Sequence, residues 1–179
     1  MGLSRFLALI LRHKADEFGL VLDPRGWAPL ERVLDVVRAE HRFRDVRPDD
    51  VQDLVAGGSG DGSRRFELAD GRIRARYGHS LARRIEYPPA VPPQHLFHGT
   101  APDTLAQIRR AGLRPMGRQY VHLSATRAMA RRVGARHGGR PVVVGVRAAE
   151  AHAAGTVFHD AGNGVWLTPD VARDYLDVP

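Results

Sequence analysis

Leu3, Phe6, Leu7, Ile10 and Leu11 recur at spacings of three and four, which predicts an amphipathic helix over residues 3–13 with Arg12 and His13 at its C-terminal end. Leu30, Val33, Leu34 and Val37 repeat the pattern and predict a second helix. Pro48-Asp49-Asp50 opens a third, with Val51, Leu54 and Val55 as its apolar positions. Asp23-Pro24-Arg25-Gly26 is a turn signature, and Gly57-Gly58-Ser59-Gly60-Asp61-Gly62-Ser63 reads as a flexible loop. The period then changes. Arg65–Ala69 and Arg72–Tyr77 read as strands joined by Asp70-Gly71, the strongest short hairpin signal.

Residues 86–94 are proline-dense and predict a stiff, extended connection between two lobes. Beyond it, short strand patterns alternate with helical ones: Leu96–His98, a helix over 102–111, Val121–Ser124, a helix over 126–136, Pro141–Val146, Thr156–Phe158 and Val165–Thr168. The fold class read from these patterns is α+β. Three helices and a hairpin suggest a winged-helix lobe over residues 1–88, followed by a mixed α/β lobe over residues 95–179.

Charge sharpens this division. The 179 residues carry a formal net charge of +7, and all but Lys14 of the 27 basic residues are arginine. Residues 1–63 are net −2, residues 64–94 net +4 and residues 95–179 net +5, so the excess lies in local zones of the kind that meet a polyanion. From Arg109 to Arg140 there are nine arginines and no Asp or Glu. Guanidinium forks match two phosphate oxygens at once, which makes this stretch a candidate phosphate cradle. Cysteine is absent, excluding disulfides and thiolate metal sites. The N-terminus lacks a basic leader followed by an apolar core, and no apolar run approaches a membrane span. A cytoplasmic protein with no membrane partner is the expectation.

Several residues are candidates for chemistry, each with a plainer alternative. Arg12-His13 either cap a helix C-terminus, where cations are favoured, or belong to a site. Arg64-Arg65 either form a solvated face or meet phosphate. His79, in Gly78-His79-Ser80, either contacts a ligand or caps a loop. His98-Gly99-Thr100 ends a predicted strand, where Gly99 would let a ligand approach the backbone closely. His122, in Val121-His122-Leu123, suits a half-buried hydrogen-bonded residue as well as a ligand contact. Arg131, Arg132, Arg136 and Arg140 surround His137-Gly138-Gly139, and charge alone does not choose among them. No metal is expected, because the histidines lack H-x-x-x-H spacing and no thiolate is present.

In order and spacing, eight blocks resemble the RNA 2′-phosphotransferase family across almost the whole chain. They are Phe-Leu-Ala-Leu-Ile-Leu-Arg-His-Lys (6–14), Gly-Leu-Val-Leu-Asp-Pro-Arg-Gly-Trp (19–27), Arg-Phe-Glu-Leu (65–68), Ile-Arg-Ala-Arg-Tyr-Gly-His-Ser (73–80), Leu-Phe-His-Gly-Thr (96–100), Tyr-Val-His-Leu-Ser-Ala-Thr (120–126), Val-Gly-Ala-Arg-His-Gly (133–138) and Asn-Gly-Val-Trp-Leu-Thr (163–168). The resemblance implies a winged-helix lobe that grips RNA and an ADP-ribosyltransferase-like lobe that binds NAD+. It implies a two-step reaction. An internal RNA 2′-phosphate displaces nicotinamide from NAD+, and the ribose 2″-hydroxyl then attacks that phosphorus. The products are 2′-hydroxyl RNA and ADP-ribose 1″,2″-cyclic phosphate.

The family's catalytic set falls on Arg12, His13, Arg65 and Arg136. The NAD+ contacts fall on His98, Gly99, Thr100, His122, Leu123, Ser124 and Val165, and the RNA contacts on Arg64, Arg74, Arg76, His79 and Ser80. Val165 stands where other ADP-ribosyltransferases carry a Glu, which an already ionised phosphate nucleophile does not require. Two departures stand out: Tyr77 where the family commonly has Gln, and Gly162 where an acid is usual. A monomer is expected. An ADP-ribosyltransferase acting on terminal nucleic-acid phosphates or protein is one alternative, and a non-catalytic RNA-binding module another.

Overall fold

The computed structural model describes residues 2–57, 64–135 and 140–179. The chain is mixed α/β and divides into two compact units, Met1–Glu86 and Tyr87–Pro179.

The first unit holds helices α1 (Leu3–Arg12), α2 (Leu30–Ala39) and α3 (Pro48–Gly57), with strands β1 (Ala28–Pro29), β2 (Phe66–Ala69) and β3 (Arg72–Ala75). α1 buries Phe6, Leu7, Ile10 and Leu11, the stripe its spacing predicts. They pack with Val33, Leu34 and Val37 of α2, Val51 of α3, and Phe66 and Ile73 of the hairpin. Each such side chain removed from water contributes about 1.5–3 kcal/mol. In α3 only Val51 is buried; Leu54 and Val55 are half-buried at the edge of this core. Pro48 starts α3, where a missing N–H costs nothing, and Asp50 reaches back to accept the Arg47 N–H at 2.7 Å.

The hairpin forms where Asp70-Gly71 predicts it. Both residues have positive φ, 49° and 68°, as a type I′ turn requires. Pairing runs from Ala69↔Arg72 to Phe66↔Ala75, and the Arg76 N–H extends it to the Arg65 carbonyl at 2.9 Å. β1, two residues long, joins β3 on its other edge and gives the order β1-β3-β2. The 58–63 part of the predicted glycine loop lies outside the described residues.

The second unit holds β4 (Leu96–Thr100), α4 (Leu105–Ala111), β5 (Val121–Ser124), α5 (Arg127–Gly134), β6 (Val142–Val146), α6 (Ala148–Ala153), β7 (His159–Gly162), β8 (Val165–Thr168) and β9 (Leu176–Asp177). Its six strands form an antiparallel sheet in the order β7-β8-β5-β4-β6-β9. Leu96, Val121, Leu123, Val144 and Val146 pack against Ile108 and Leu113, Ala148 and Ala151, and Phe158. The helix expected over 126–136 begins after Thr126, whose Oγ1 accepts the Met129 N–H at 3.2 Å. Arg136 and His137 lie outside the described residues.

One predicted strand is corrected. Thr156–Phe158 forms none, and the strand lies at His159–Gly162. The backbone of the expected segment is spent elsewhere: Thr156 N–H closes α6 by donating to Ala151, and the Phe158 carbonyl accepts from Ala90 at 2.8 Å. β-branched residues there attracted the strand assignment, while the actual strand is a polar His-Asp-Ala-Gly run with a bulge at Asp160/Gly162.

Gly99 also acquires a different explanation. A Cβ at that position would lie 1.7 Å from the Ala130 carbonyl oxygen and 3.0 Å from the Gly134 nitrogen. The space beside this backbone is filled by α5, so helix packing alone requires glycine. At Gly134 a Cβ would in turn meet Pro141 at 2.9 Å and the Gly99 carbonyl carbon at 3.0 Å. Gly99→Ala should therefore cost about 3 kcal/mol or more, because the obstacle is backbone and cannot rotate away. Gly117→Ala, with nothing within 4 Å, serves as the control. Denaturant unfolding of both variants checks this; equal midpoints would mean α5 does not press on β4 as described.

Candidate active site

In the first unit the end of α1, the start of the hairpin and the segment after β3 converge. Arg12 lies in the last turn of α1 and His13 is its C-cap residue. The Arg12 guanidinium donates to the Arg65 carbonyl at 3.4 Å. Its Cζ lies 5.7 Å from the Phe66 ring centroid and 5.4 Å from that of Tyr77, within the reach of cation–π attraction. The Arg12 carbonyl accepts the Ser80 N–H at 2.9 Å, satisfying one of the helix's terminal acceptors. Ser80 Oγ then stands 2.7 Å from His13 Nδ1. Three of the four residues given the catalytic assignment, together with Ser80, are thus gathered by direct bonds within one unit. Arg136, the fourth, lies outside the described residues.

The other arginines of the hairpin have structural partners. Arg74 donates to Glu67 from Nε at 2.8 Å, and its terminal nitrogen lies 2.7 Å from the same oxygen. Its guanidinium also stacks 4.6 Å from the Trp27 ring centroid. Arg76 lies 3.4 Å from Glu67 and donates to the Phe66 carbonyl at 3.3 Å. Arg72 pairs with Asp23 at 3.0 Å, while Asp23 Oδ1 accepts the N–H groups of Arg25 and Trp27 at 2.9 Å each. These bonds brace the hairpin against the predicted Asp23–Gly26 turn. Arg64 is exposed. His79 is only 3% exposed, and a Cβ on Gly26 would sit 3.5 Å from its Nε2, so the imidazole belongs to the interior of the unit.

In the second unit, the residues assigned to the nucleotide gather on three adjacent strands. β4 and β6 pair over five positions, from Leu96↔Val146 to Thr100↔Val142, and β5 and β8 over four. β4 and β5, at the centre of the sheet, pair only at Phe97↔Ser124. A side-chain bond bridges this seam: His98 Nδ1 donates to the His122 carbonyl at 2.9 Å. A carbonyl can only accept, so this bond selects the Nδ1-protonated tautomer and makes Nε2 the acceptor of the neutral ring. Thr100 and Ser124 are buried, and Thr100 Oγ1 shares a 2.8 Å bond with Thr104. Leu123 and Val165 are buried too, and Val165 pairs with Ser124. Before Val165 the chain turns through Gly162, Asn163 and Gly164, all with positive φ, and the Gly164 carbonyl accepts the Ala125 N–H at 2.8 Å.

Sequence reasoning missed an aromatic group in this unit. Tyr120 stacks edge-on against both Tyr87 and His159, each with centroids 5.5 Å apart. His159 Nδ1 donates to the Pro88 carbonyl at 3.0 Å. Only Tyr120, next to the Val121-His122-Leu123 block, carried any signal of it. The acid-free stretch is also less uniform in space than in sequence. Arg114 pairs with Asp170 at 3.0 Å, Arg109 donates to the Pro179 carbonyl, and Arg127 stacks 4.9 Å from the Phe97 centroid. Among the described residues, no three His, Asp or Glu side chains gather as metal ligands, and no helix is long and apolar enough to cross a membrane.

Residues 1–170 match the RNA 2′-phosphotransferase, Tpt1 / KptA family. The chain is 47% identical to a protein of Pseudomonas aeruginosa over 97% of its length and 93% of that protein's. Identity to a protein of Agrobacterium fabrum is 46%, covering 98% and 92% of the two chains. With a protein of Streptomyces coelicolor it is 44%, covering 98% and 93%. Each of the three is named "Probable RNA 2′-phosphotransferase". The chain belongs to the RNA 2′-phosphotransferase family, and is a transferase.

Ser80 offers a local test of the first-unit cluster. Ser80→Ala deletes the hydroxyl on His13 but keeps the backbone N–H that caps α1. Ser80 is exposed, so the thermal midpoint should stay within about 2 °C of the parent. Phosphotransferase turnover should fall by about three- to tenfold, the value of one hydrogen bond. Unchanged turnover would show that the hydroxyl does not orient the imidazole for reaction.

Proposed function

We propose that this chain removes an internal 2′-phosphate from RNA by transferring it to NAD+. Met1–Glu86 contains the winged-helix lobe that receives RNA, and Tyr87–Pro179 contains the ADP-ribosyltransferase-like lobe that receives the dinucleotide. The observation that carries this reading is the cluster of Arg12, His13 and Arg65, with Ser80 on the imidazole. In this cluster the Arg12 guanidinium, a fork suited to phosphate, precedes an imidazole able to move a proton, a pairing that simple RNA binding does not need.

The arginines act first as a mould. Arg12 and Arg65 hold the 2′-phosphate as a dianion, because guanidinium groups keep their protons and cannot neutralise it by proton transfer; the family resemblance assigns Arg136 to the same phosphate. Orienting one phosphate oxygen toward the ribose carbon removes much of the entropic cost of the encounter. Displacement of nicotinamide joins that oxygen to C1″ and gives a 2′-phospho-ADP-ribosylated RNA. In the second step the 2″-oxygen attacks phosphorus and the RNA 2′-oxygen leaves. Charge on the equatorial oxygens is then stabilised by the same guanidinium groups. His13 moves the proton this exchange requires, since an imidazole titrates near neutrality.

The β4–β5 seam supports the nucleotide assignment. Thr100 and Ser124 offer buried hydroxyls and His98 and His122 imidazoles, with Val165 beside Ser124, all near a single-pair junction of two strands; the Leu123 side chain lies in the core, which leaves its backbone for the nucleotide. Gly99 serves here through helix packing. Exposed Arg64 meets the RNA backbone, while Arg74 and Arg76, with Ser80 and buried His79, shape the surface around Arg65 and His13.

The test uses a defined oligonucleotide bearing one internal 2′-phosphate, with and without NAD+. The expected products, only when NAD+ is present, are 2′-hydroxyl RNA, nicotinamide and ADP-ribose 1″,2″-cyclic phosphate in equal amounts. For His13→Ala, nicotinamide release should persist while the ADP-ribosylated RNA accumulates. If that variant released no nicotinamide although it remained folded, His13 would belong to the first step.

A further inference from the structure

Arg12 is flanked by two aromatic rings from different parts of the first unit. Phe66 comes from β2 and is 2% exposed; its place in the core accounts for it. Tyr77 lies beyond the end of β3, is half-buried, and is not among the core residues of the unit. Its ring centroid is nevertheless the nearer of the two to the Arg12 guanidinium, at 5.4 Å. The same guanidinium donates to the Arg65 carbonyl, which the Arg76 N–H also holds. Tyr77 follows Arg76 directly, so the backbone bond that fixes the Arg65 carbonyl also fixes where the tyrosine begins.

Arginine is a long side chain with several rotatable bonds, and ordering it costs rotamer entropy. A hydrogen bond of 3.4 Å is a weak restraint on such a group. The Tyr77 ring face adds to it. It attracts the cation through the negative face of the ring and not as a hydrogen-bond acceptor.

We propose that Tyr77 is a positioning residue of the 2′-phosphotransfer reaction, holding the Arg12 guanidinium in its phosphate-binding orientation through the face of its ring. This inference rests on the proposed role of Arg12. Tyr77 touches no reacting atom in this reading; it acts through Arg12. The effect should be greatest where charge on the transferred phosphate changes most, in the second step.

Three variants test it in full-length protein: Tyr77→Phe, Tyr77→Leu, and pentafluorophenylalanine placed at 77. The last keeps the shape of Phe but reverses the charge of the ring face, so it separates cation attraction from packing. Single-turnover assays with NAD+ and the 2′-phosphorylated oligonucleotide would follow intermediate and product. Tyr77→Phe should keep the second-step rate within about twofold. Tyr77→Leu and the fluorinated ring should slow it about tenfold and accumulate the ADP-ribosylated RNA, with KM for NAD+ unchanged.

If the fluorinated variant matched Tyr77→Phe, or if Tyr77→Phe lost as much as Tyr77→Leu, the ring-face role would be overturned. The fluorinated variant decides the matter even where Tyr77→Leu fails to fold. A parent protein that formed no intermediate or product would instead refute the underlying functional reading. An active parent with three equally active variants would refute the Tyr77 inference alone.

Discussion

The carbonyl of Arg65 is the joint of the first unit. It accepts the backbone N–H of Arg76, which continues the hairpin ladder past β2 and β3, and it accepts the guanidinium of Arg12 at the end of α1. A carbonyl oxygen has two lone pairs, so both bonds can form at once. One atom therefore ties the register of the hairpin to the position of a helix-borne arginine. A one-residue slip of the hairpin would turn Arg65, Glu67, Arg74 and Arg76 onto the buried face and carry Phe66 and Ile73 out of the core. The apolar side of the hairpin fixes the register, and the register fixes the charged side.

The arginines divide by what holds them. Glu67 braces Arg74 and Arg76, Asp23 braces Arg72, and Asp170 braces Arg114. Arg147 is bonded to Glu150 and lies beside Asp177, and together these carboxylates hold its pKa above the ordinary arginine value. Arg12 meets the Arg65 carbonyl and the rings of Phe66 and Tyr77. Within an arginine-rich chain, these carboxylates identify structural braces that local net charge does not reveal.

Much of this was legible in the sequence. The spacing of Phe6, Leu7, Ile10 and Leu11 marks α1, and Asp70-Gly71 marks a turn that both positive φ values require. What was not legible depended on distant partners. β1 and β9 have only two residues each, too short for any period to appear. β7 is a polar, bulged edge strand, whereas Thr156-Val157-Phe158 has strand-like composition and no strand pairing. Gly99 looked like an opening for ligand, because the sequence does not show that α5 crosses there. Glu67 bracing two arginines, and the His98 bond across the β4–β5 seam, are likewise products of pairing over distance. The Arg136 assignment rests on family resemblance.

The central claim is that the RNA's phosphate leaves on a ribose and not on water. It is tested most directly by following its oxygens. An oligonucleotide whose 2′-phosphate carries 18O at its three non-bridging positions is reacted with NAD+ in unlabelled water, and the products are weighed by mass spectrometry. The account predicts all three labels in ADP-ribose 1″,2″-cyclic phosphate and none in the RNA 2′-hydroxyl. Labelled inorganic phosphate carrying one oxygen from solvent, with NAD+ left intact, would contradict it.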